Sequence, residues 1–263
     1  MRNHFPTGKL AIDMIIEPAL SLKLRRCTLY YAAGETIFTF IPKVGCTNLK
    51  LSLLSSGPIT PEAEWLSSPH QAVESFIATN EDIRSARFSF VMLRDPYTRI
   101  VSCYFNKIVA KTTPKITIKD DFKTYMSMVE TFRGFVAWLA IAENVQKNPH
   151  WRPQSDFLSI PRYSKYYALE NYSEAAVEVE QRCGLKLKDF RTKTKHTLVN
   201  FTRLKSGCFA DTPLSELRAM KEQRAMPEYL AMYDANLVEM VRNLYAADIE
   251  LYRSNIEKEV TFA

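Results

Sequence analysis

A three-layer αβα sandwich on a mainly parallel sheet, in a single α/β domain, is the fold this sequence predicts. Two short runs of β-branched and aromatic residues, 36–41 and 88–93, read as buried strands, and each passes through a tight turn directly into a helical pattern. Strands keep alternating with helices further along, which is the order of a parallel sheet covered by helices. A chain of 263 residues that is 46% hydrophobic can bury the core such a sheet needs, so residues 1–263 are read as one domain.

The elements follow in order. Thr36 to Ile41 forms the first strand, Pro42 and Gly45 break it, and Thr47 to Leu54 starts a helix. Pro58, Pro61 and Pro69, with serines between them, mark a loop, after which Phe88 to Leu93 forms the second strand. Tyr97, Ile100, Val101, Tyr104 and Ile108 recur at helical spacing and give an amphipathic helix. Residues 112–119 form another loop, either a lid or a plain connector. Phe132, Phe135, Val136, Leu139 and Ala140 make a helix that Thr131 can cap. Ser164 to Leu169 reads as a strand and Ser173 to Cys183 as a helix, with further helices at 213–223 and 235–252. Ligands of such sheets sit at the carboxyl ends of the strands.

The turn after each of the first two strands has the chemistry of an anion grip, the first of them P-loop-like. The sequence Pro42-Lys43-Val44-Gly45-Cys46-Thr47-Asn48 carries a lysine, a glycine that lets backbone approach closely, and a helix start whose free N–H groups face an anion. Thr47 and Asn48 add a hydroxyl and an amide, whereas Cys46 reads as a small filler. The second turn offers Arg94, whose planar fork suits a phosphate dianion, and Ser102 further along the helix. Two such grips call for a ligand with phosphate at two separated places. Asp95 is expected to cap the helix. Arg99 either binds phosphate or pairs with a carboxylate.

These segments resemble the sulfotransferases that use 3′-phosphoadenosine-5′-phosphosulfate (PAPS), in particular the carbohydrate group that includes the chondroitin 4-O enzymes. The likeness lies in Pro42 to Asn48 and in Arg94-Asp95-Pro96-Tyr97-Thr98-Arg99-Ile100-Val101-Ser102-Cys103-Tyr104. It extends to His150-Trp151-Arg152-Pro153-Gln154, to Glu170-Asn171 and to the ending Tyr245 to Tyr252, covering about 36–252. It implies a soluble bacterial-type member. The 5′-phosphosulfate would be held by Lys43, Val44, Gly45, Cys46, Thr47 and Asn48, and the 3′-phosphate by Arg94 and Ser102. It further implies direct in-line transfer to a hydroxyl, with Lys43 meeting the charge on the departing phosphate, adenosine 3′,5′-bisphosphate as product, and no metal. The base is His150, which opens a family-like segment, or Glu170, which ends a predicted strand. Arg152 and Gln154 are candidates for acceptor or donor contact. His196 either reaches the nucleotide or lies in a solvated basic loop.

Other function classes fit less well. A P-loop kinase or NTPase wants lysine after the last glycine and a hydroxyl for Mg²⁺, and here the lysine precedes Gly45. A nucleic-acid-binding module is suggested by the basic run from Lys186 to Lys205, but no aromatic interleaving or helix-turn-helix signature accompanies it, so no nucleic acid is expected. The five cysteines show no CxxC spacing and suggest neither zinc nor a disulfide framework. No run approaches about 18 apolar residues, and Met1 to Lys9 leads into no secretory h-region. The expectation is therefore a cytoplasmic enzyme, close to a membrane surface only if its acceptor is a glycolipid. The net charge of +6 fits an anionic ligand without identifying one.

Overall fold

Four strands form the central sheet of the computed structural model, which describes residues 26–57, 66, 68–110, 127–141, 143–193 and 200–262. They are β1 (Thr28–Tyr31), β2 (Thr36–Thr39), β3 (Phe88–Leu93) and β4 (Lys165–Ala168), in that spatial order. β1 runs antiparallel to β2, with Thr28 opposite Thr39. β2, β3 and β4 run parallel, with Thr39 opposite Val91 and Leu93 opposite Ala168. All residues of β2 and β3 are buried, as continuous apolar strands in the middle of a helix-covered sheet must be. Phe38 and Phe90 stack across the pair with ring centroids 5.1 Å apart.

The helices are α1 (Cys46–Leu54), α2 (Asn80–Ser85), α3 (Pro96–Tyr104), α4 (Phe132–Ala140) and α5 (Tyr172–Cys183). A small parallel sheet of β5 (Thr202–Leu204) and β6 (Ala225–Pro227) brackets α6 (Leu214–Glu222), and α7 (Ala235–Leu244) and α8 (Ala246–Asn255) close the fold. The assembly is the αβα sandwich expected, with a mainly parallel central sheet. Thr131 caps α4 by accepting a hydrogen bond from the Gly134 N–H at 3.0 Å. Asp95 caps α3 through the Thr98 N–H at 2.9 Å. Among the described residues, no helix is long and apolar enough to cross a membrane.

Some elements differ from the sequence reading. β1, β5 and β6 escape it because three or four residues show no usable alternation. The single helix expected over 235–252 is two, broken at Tyr245, whose hydroxyl turns aside to donate to the Trp151 carbonyl at 2.5 Å. The helix after Pro96 continues as a π-turn, Phe105–Val109, which shifts the phase of its side chains. The loops proposed around Pro58 and Pro61 and at 112–119, together with His196, lie outside the described residues.

Buried Arg99 joins the strand ends to the C-terminal helix. It is 2% exposed, donates from Nε to the Pro42 carbonyl at 3.1 Å, and faces the fully buried Asp248 of α8 at 4.0 Å. Of the two readings left open for it, the structure favours the carboxylate partner. Asp248 in turn accepts from the Gln154 and Ser155 N–H groups at 2.7 and 2.9 Å. Breaking a buried ion pair from one side leaves an uncompensated charge and typically costs about 3–5 kcal/mol. Asp248→Ala should lower the urea-unfolding free energy by that order, and the double substitution Arg99→Met with Asp248→Leu should lose less. Equal losses in the two proteins would mean that the pair's charges are not what the region depends on.

Candidate active site

The turn between β2 and α1 is built on two left-handed residues. Lys43 has φ +70°, unusual for a residue with a β-carbon, and Gly45 has φ +63°. A β-carbon on Gly45 would stand 2.9 Å from Leu169 Cδ1, the end of a side chain that can turn away, so it is the positive φ that favours glycine at this position. Val44 is fully buried and pins the turn by donating its N–H to the Ile41 carbonyl at 3.1 Å. Arg94, at the end of β3, donates from Nη1 to the Lys43 carbonyl at 3.1 Å and from Nε to the Thr98 hydroxyl at 3.2 Å. Because β2 and β3 are adjacent and parallel, their two turns lie side by side and are bonded to each other.

Gln154 locks the second turn from behind. It is completely buried, its Oε1 accepts from the Arg94 N–H at 3.0 Å, and its Nε2 donates to the Arg94 carbonyl at 2.8 Å. Its amide is thus committed to backbone, not to a ligand. Asn48 is committed too: its Oδ1 accepts from the Phe190 N–H at 3.2 Å and its Nδ2 donates to Asp189 at 3.4 Å. The amide therefore anchors the segment after α5, while Cys46 and Thr47, partly exposed at the start of α1, remain beside the turn.

Lys43 is poised electrostatically. Burial, reinforced by the Arg94 and Lys107 charges, pulls its pKa down to about 8 against the opposing Cys103 and Cys46 thiols. His150 faces the same charges. Burial first, and then Lys107, Lys43, His70 and Arg99, push its pKa down to about 2, so the imidazole is neutral, and its buried Nδ1 has no hydrogen-bond partner. His150 thus stands among the cations that surround Lys43. Glu170 does not. Its Oε1 accepts from the Asp95 N–H at 3.1 Å and its Oε2 from the Tyr252 hydroxyl at 3.1 Å, which makes it an anchor for the start of α3.

Ser102 and Arg94 share a partner the sequence did not reveal. Tyr229 lies 5.2 Å under the Arg94 guanidinium and 5.4 Å under that of Arg203. Burial alone would raise the Tyr229 phenol, but the Arg94 charge, with Arg203 and hydrogen bonds from Arg94 and Ser102, brings its pKa below the ordinary value. One buried nitrogen of Arg203, Nη1, has no partner among the described residues. The cluster is rich in donors, with Arg94, Ser102 and Arg203 meeting at Tyr229. Arg203 stood in the sequence only as one more basic residue of a run, and Tyr229 carried no signal at all. Lys107 was equally invisible, since its position depends on the π-turn.

The residues present fit a donor with two phosphates: a lysine and a helix start at one turn, and an arginine pair with an orphaned nitrogen beyond the other. The model of the Sulfotransferase family matches residues 35–253. The chain belongs to this family. No curated protein and no solved structure matches it.

Both imidazoles near the site are held neutral, since burial and the Lys50 and Lys107 charges bring His70 to about 4. A depressed folded-state pKa means that the unfolded chain takes up protons first. The histidines' contribution is therefore complete above about pH 6.5 and is lost as pH falls toward the folded values. The unfolding midpoint should drop between about pH 7.5 and 5.5, and His150→Gln should drop less over the same interval. Parallel curves for parent and variant would remove His150 from the titration.

Proposed function

We propose that this sulfotransferase-family chain moves the sulfuryl group of PAPS onto a hydroxyl of a carbohydrate or glycoconjugate by direct in-line transfer. The observation that carries the reading is the pair of anion-binding turns on adjacent parallel strands, tied by the Arg94–Lys43 hydrogen bond. When bound, PAPS supplies the sulfuryl group and a phosphate leaving group. The bond between sulfur and the phosphate oxygen breaks, its electron pair stays on that oxygen, and a new bond forms between sulfur and the acceptor oxygen.

The chain's own residues supply position and charge. The Lys43 ammonium meets the negative charge that develops on the phosphate, and a pKa near 8 leaves it largely protonated at neutral pH. His150 takes the acceptor hydroxyl's proton. Its neutrality leaves the imidazole free to accept, and anionic phosphate beside Lys43 and Lys107 would offset the charges that hold its pKa low. Arg94, Ser102, Arg203 and Tyr229 hold the 3′-phosphate, the orphaned nitrogen of Arg203 being the donor still in need of an acceptor. The engaged oxygens of Glu170 support a positioning role for that residue.

Lys43→Ala should reduce turnover by about 10²–10³ with little change in bisphosphate affinity. His150→Ala should reduce it by about 10²–10⁴, and Glu170→Gln should be milder. Steady-state kinetics with labelled PAPS and a glycan panel reads both effects, and a dead Glu170→Gln with an active His150→Ala would reverse the assignment.

The 3′-phosphate site has its own test in calorimetry. Arg94→Ala, Ser102→Ala and Arg203→Ala should each weaken adenosine 3′,5′-bisphosphate, by roughly 1.5–3 kcal/mol for the arginines, while sparing adenosine 5′-phosphate. Equal losses for the two nucleotides would show that these side chains do not read the 3′ group.

A further inference from the structure

Beyond α8 the chain doubles back onto the start of α3. Glu257, Lys258 and Glu259 are exposed, and Val260 then turns inward to 3% exposure. The Thr261 N–H donates to Asp95 Oδ2 at 2.7 Å, while the other oxygen of that carboxylate caps α3. Asp95 is 3% exposed, so each of its oxygens needs a donor, and the second donor comes from this returning strap. Residues 256–262 lie past the end of the family match at 253.

Phe262 fastens the strap to two elements at once. Its ring centroid lies 5.2 Å from that of Tyr97 on α3 and 5.3 Å from that of Tyr233. The Tyr97 and Tyr233 rings are 5.7 Å apart, so the three meet edge to face. The Tyr233 hydroxyl donates to the Tyr97 carbonyl at 2.9 Å. Tyr233 directly follows the 3₁₀ turn Tyr229–Met232, and Tyr97 follows Arg94-Asp95-Pro96. The strap therefore bridges the two elements that carry the cluster around Tyr229: the Arg94 turn with α3, and the turn of Tyr229 itself. Phe262 holds φ +61°, a left-handed conformation that is costly for a residue with a β-carbon. Arg242 secures it by donating from Nη2 to the Phe262 carbonyl at 3.1 Å.

We propose that Thr261 and Phe262 are positioning residues of the donor site: by holding Asp95 and the Tyr97–Tyr233 contact together, they set Arg94 against Tyr229 and so set the preference for a nucleotide that carries a 3′-phosphate. The inference deepens the PAPS reading and rests on it. Both residues act through the side chains they hold. The Lys43 turn is pinned by its own Val44 hydrogen bond, so the effect of the strap falls on the 3′ side of the donor.

Calorimetry on the full chain with adenosine 3′,5′-bisphosphate and adenosine 5′-phosphate provides the test. Phe262→Ala should weaken the bisphosphate by roughly twofold to thirtyfold and leave the 5′-phosphate unchanged. In an Arg94→Ala background the same substitution should have little further effect, because the contact it protects is already gone. Equal losses for the two nucleotides, or an undiminished loss in the Arg94→Ala background, overturn the proposal. Hydrogen exchange in the nucleotide-free protein gives a second reading. Phe262→Ala should speed exchange at the Thr98 amide, bonded to Asp95, and at the Tyr233 amide, bonded to the Leu230 carbonyl, while the β3 amides stay protected. Exchange unchanged at Thr98 and Tyr233, or raised equally in β3, overturns it as well. A parent chain with no preference for the bisphosphate sinks the PAPS reading instead, and the exchange comparison then decides whether the strap holds the two elements.

Discussion

The carbonyl of Pro42 receives a hydrogen bond from a guanidinium that has no access to water, and much of the site depends on that contact. Arg99 can be buried only because Asp248 answers it, and Asp248 can be buried only because two backbone N–H groups and Arg99 surround it. Burial favours the protonated acid while Arg99 favours the carboxylate. Gln154 carries the link from Asp248 to the backbone of Arg94. Four segments distant in sequence thus meet in one dry network, and both ligand-facing turns hang from it. Arg99, Gln154 and Asp248 consequently fix where Lys43 and Arg94 stand.

A second constraint is an excess of positive charge. Lys43, Lys107, Arg94 and Arg99 crowd a small volume, and burial weakens their solvation further. The left-handed backbone at Lys43 adds conformational strain, of order 1–3 kcal/mol, which the Arg94 hydrogen bond to its carbonyl helps to sustain. An anion entering this space relieves mutual repulsion as well as gaining contacts.

The two strand-to-helix turns were legible in the sequence because they are local: strand, turn and helix start lie within a dozen residues, and each residue type has its own physical reason. β3 was legible to the residue, Phe88 to Leu93, as a long apolar run in the middle of a sheet. What stayed hidden is tertiary. Tyr229 and Arg203 reach Ser102 only because two three-residue strands pair, too briefly to leave a pattern. Asn48 and Gln154 sit in ligand-like segments, yet Gln154's amide serves backbone and Asn48's serves the Phe190 N–H and the Asp189 carboxylate, uses that composition cannot distinguish from ligand contact. Glu170 follows β4 at the carboxyl end of the parallel strands, but only its hydrogen bonds to Asp95 and Tyr252 reveal what it holds.

The adjacency of β2 and β3 has a consequence for how this architecture can change. The separation of the two turns is a strand spacing, about 4.8 Å, set by peptide groups that every sequence possesses. It works as a ruler that mutation cannot easily recalibrate. His70, on a single helical turn, and His150, after a short 3₁₀ segment, have no such ruler, because no strand of the sheet carries them. The spacing of the two turns is thus inherited as geometry, while the segments that carry these histidines are free to vary as chemistry.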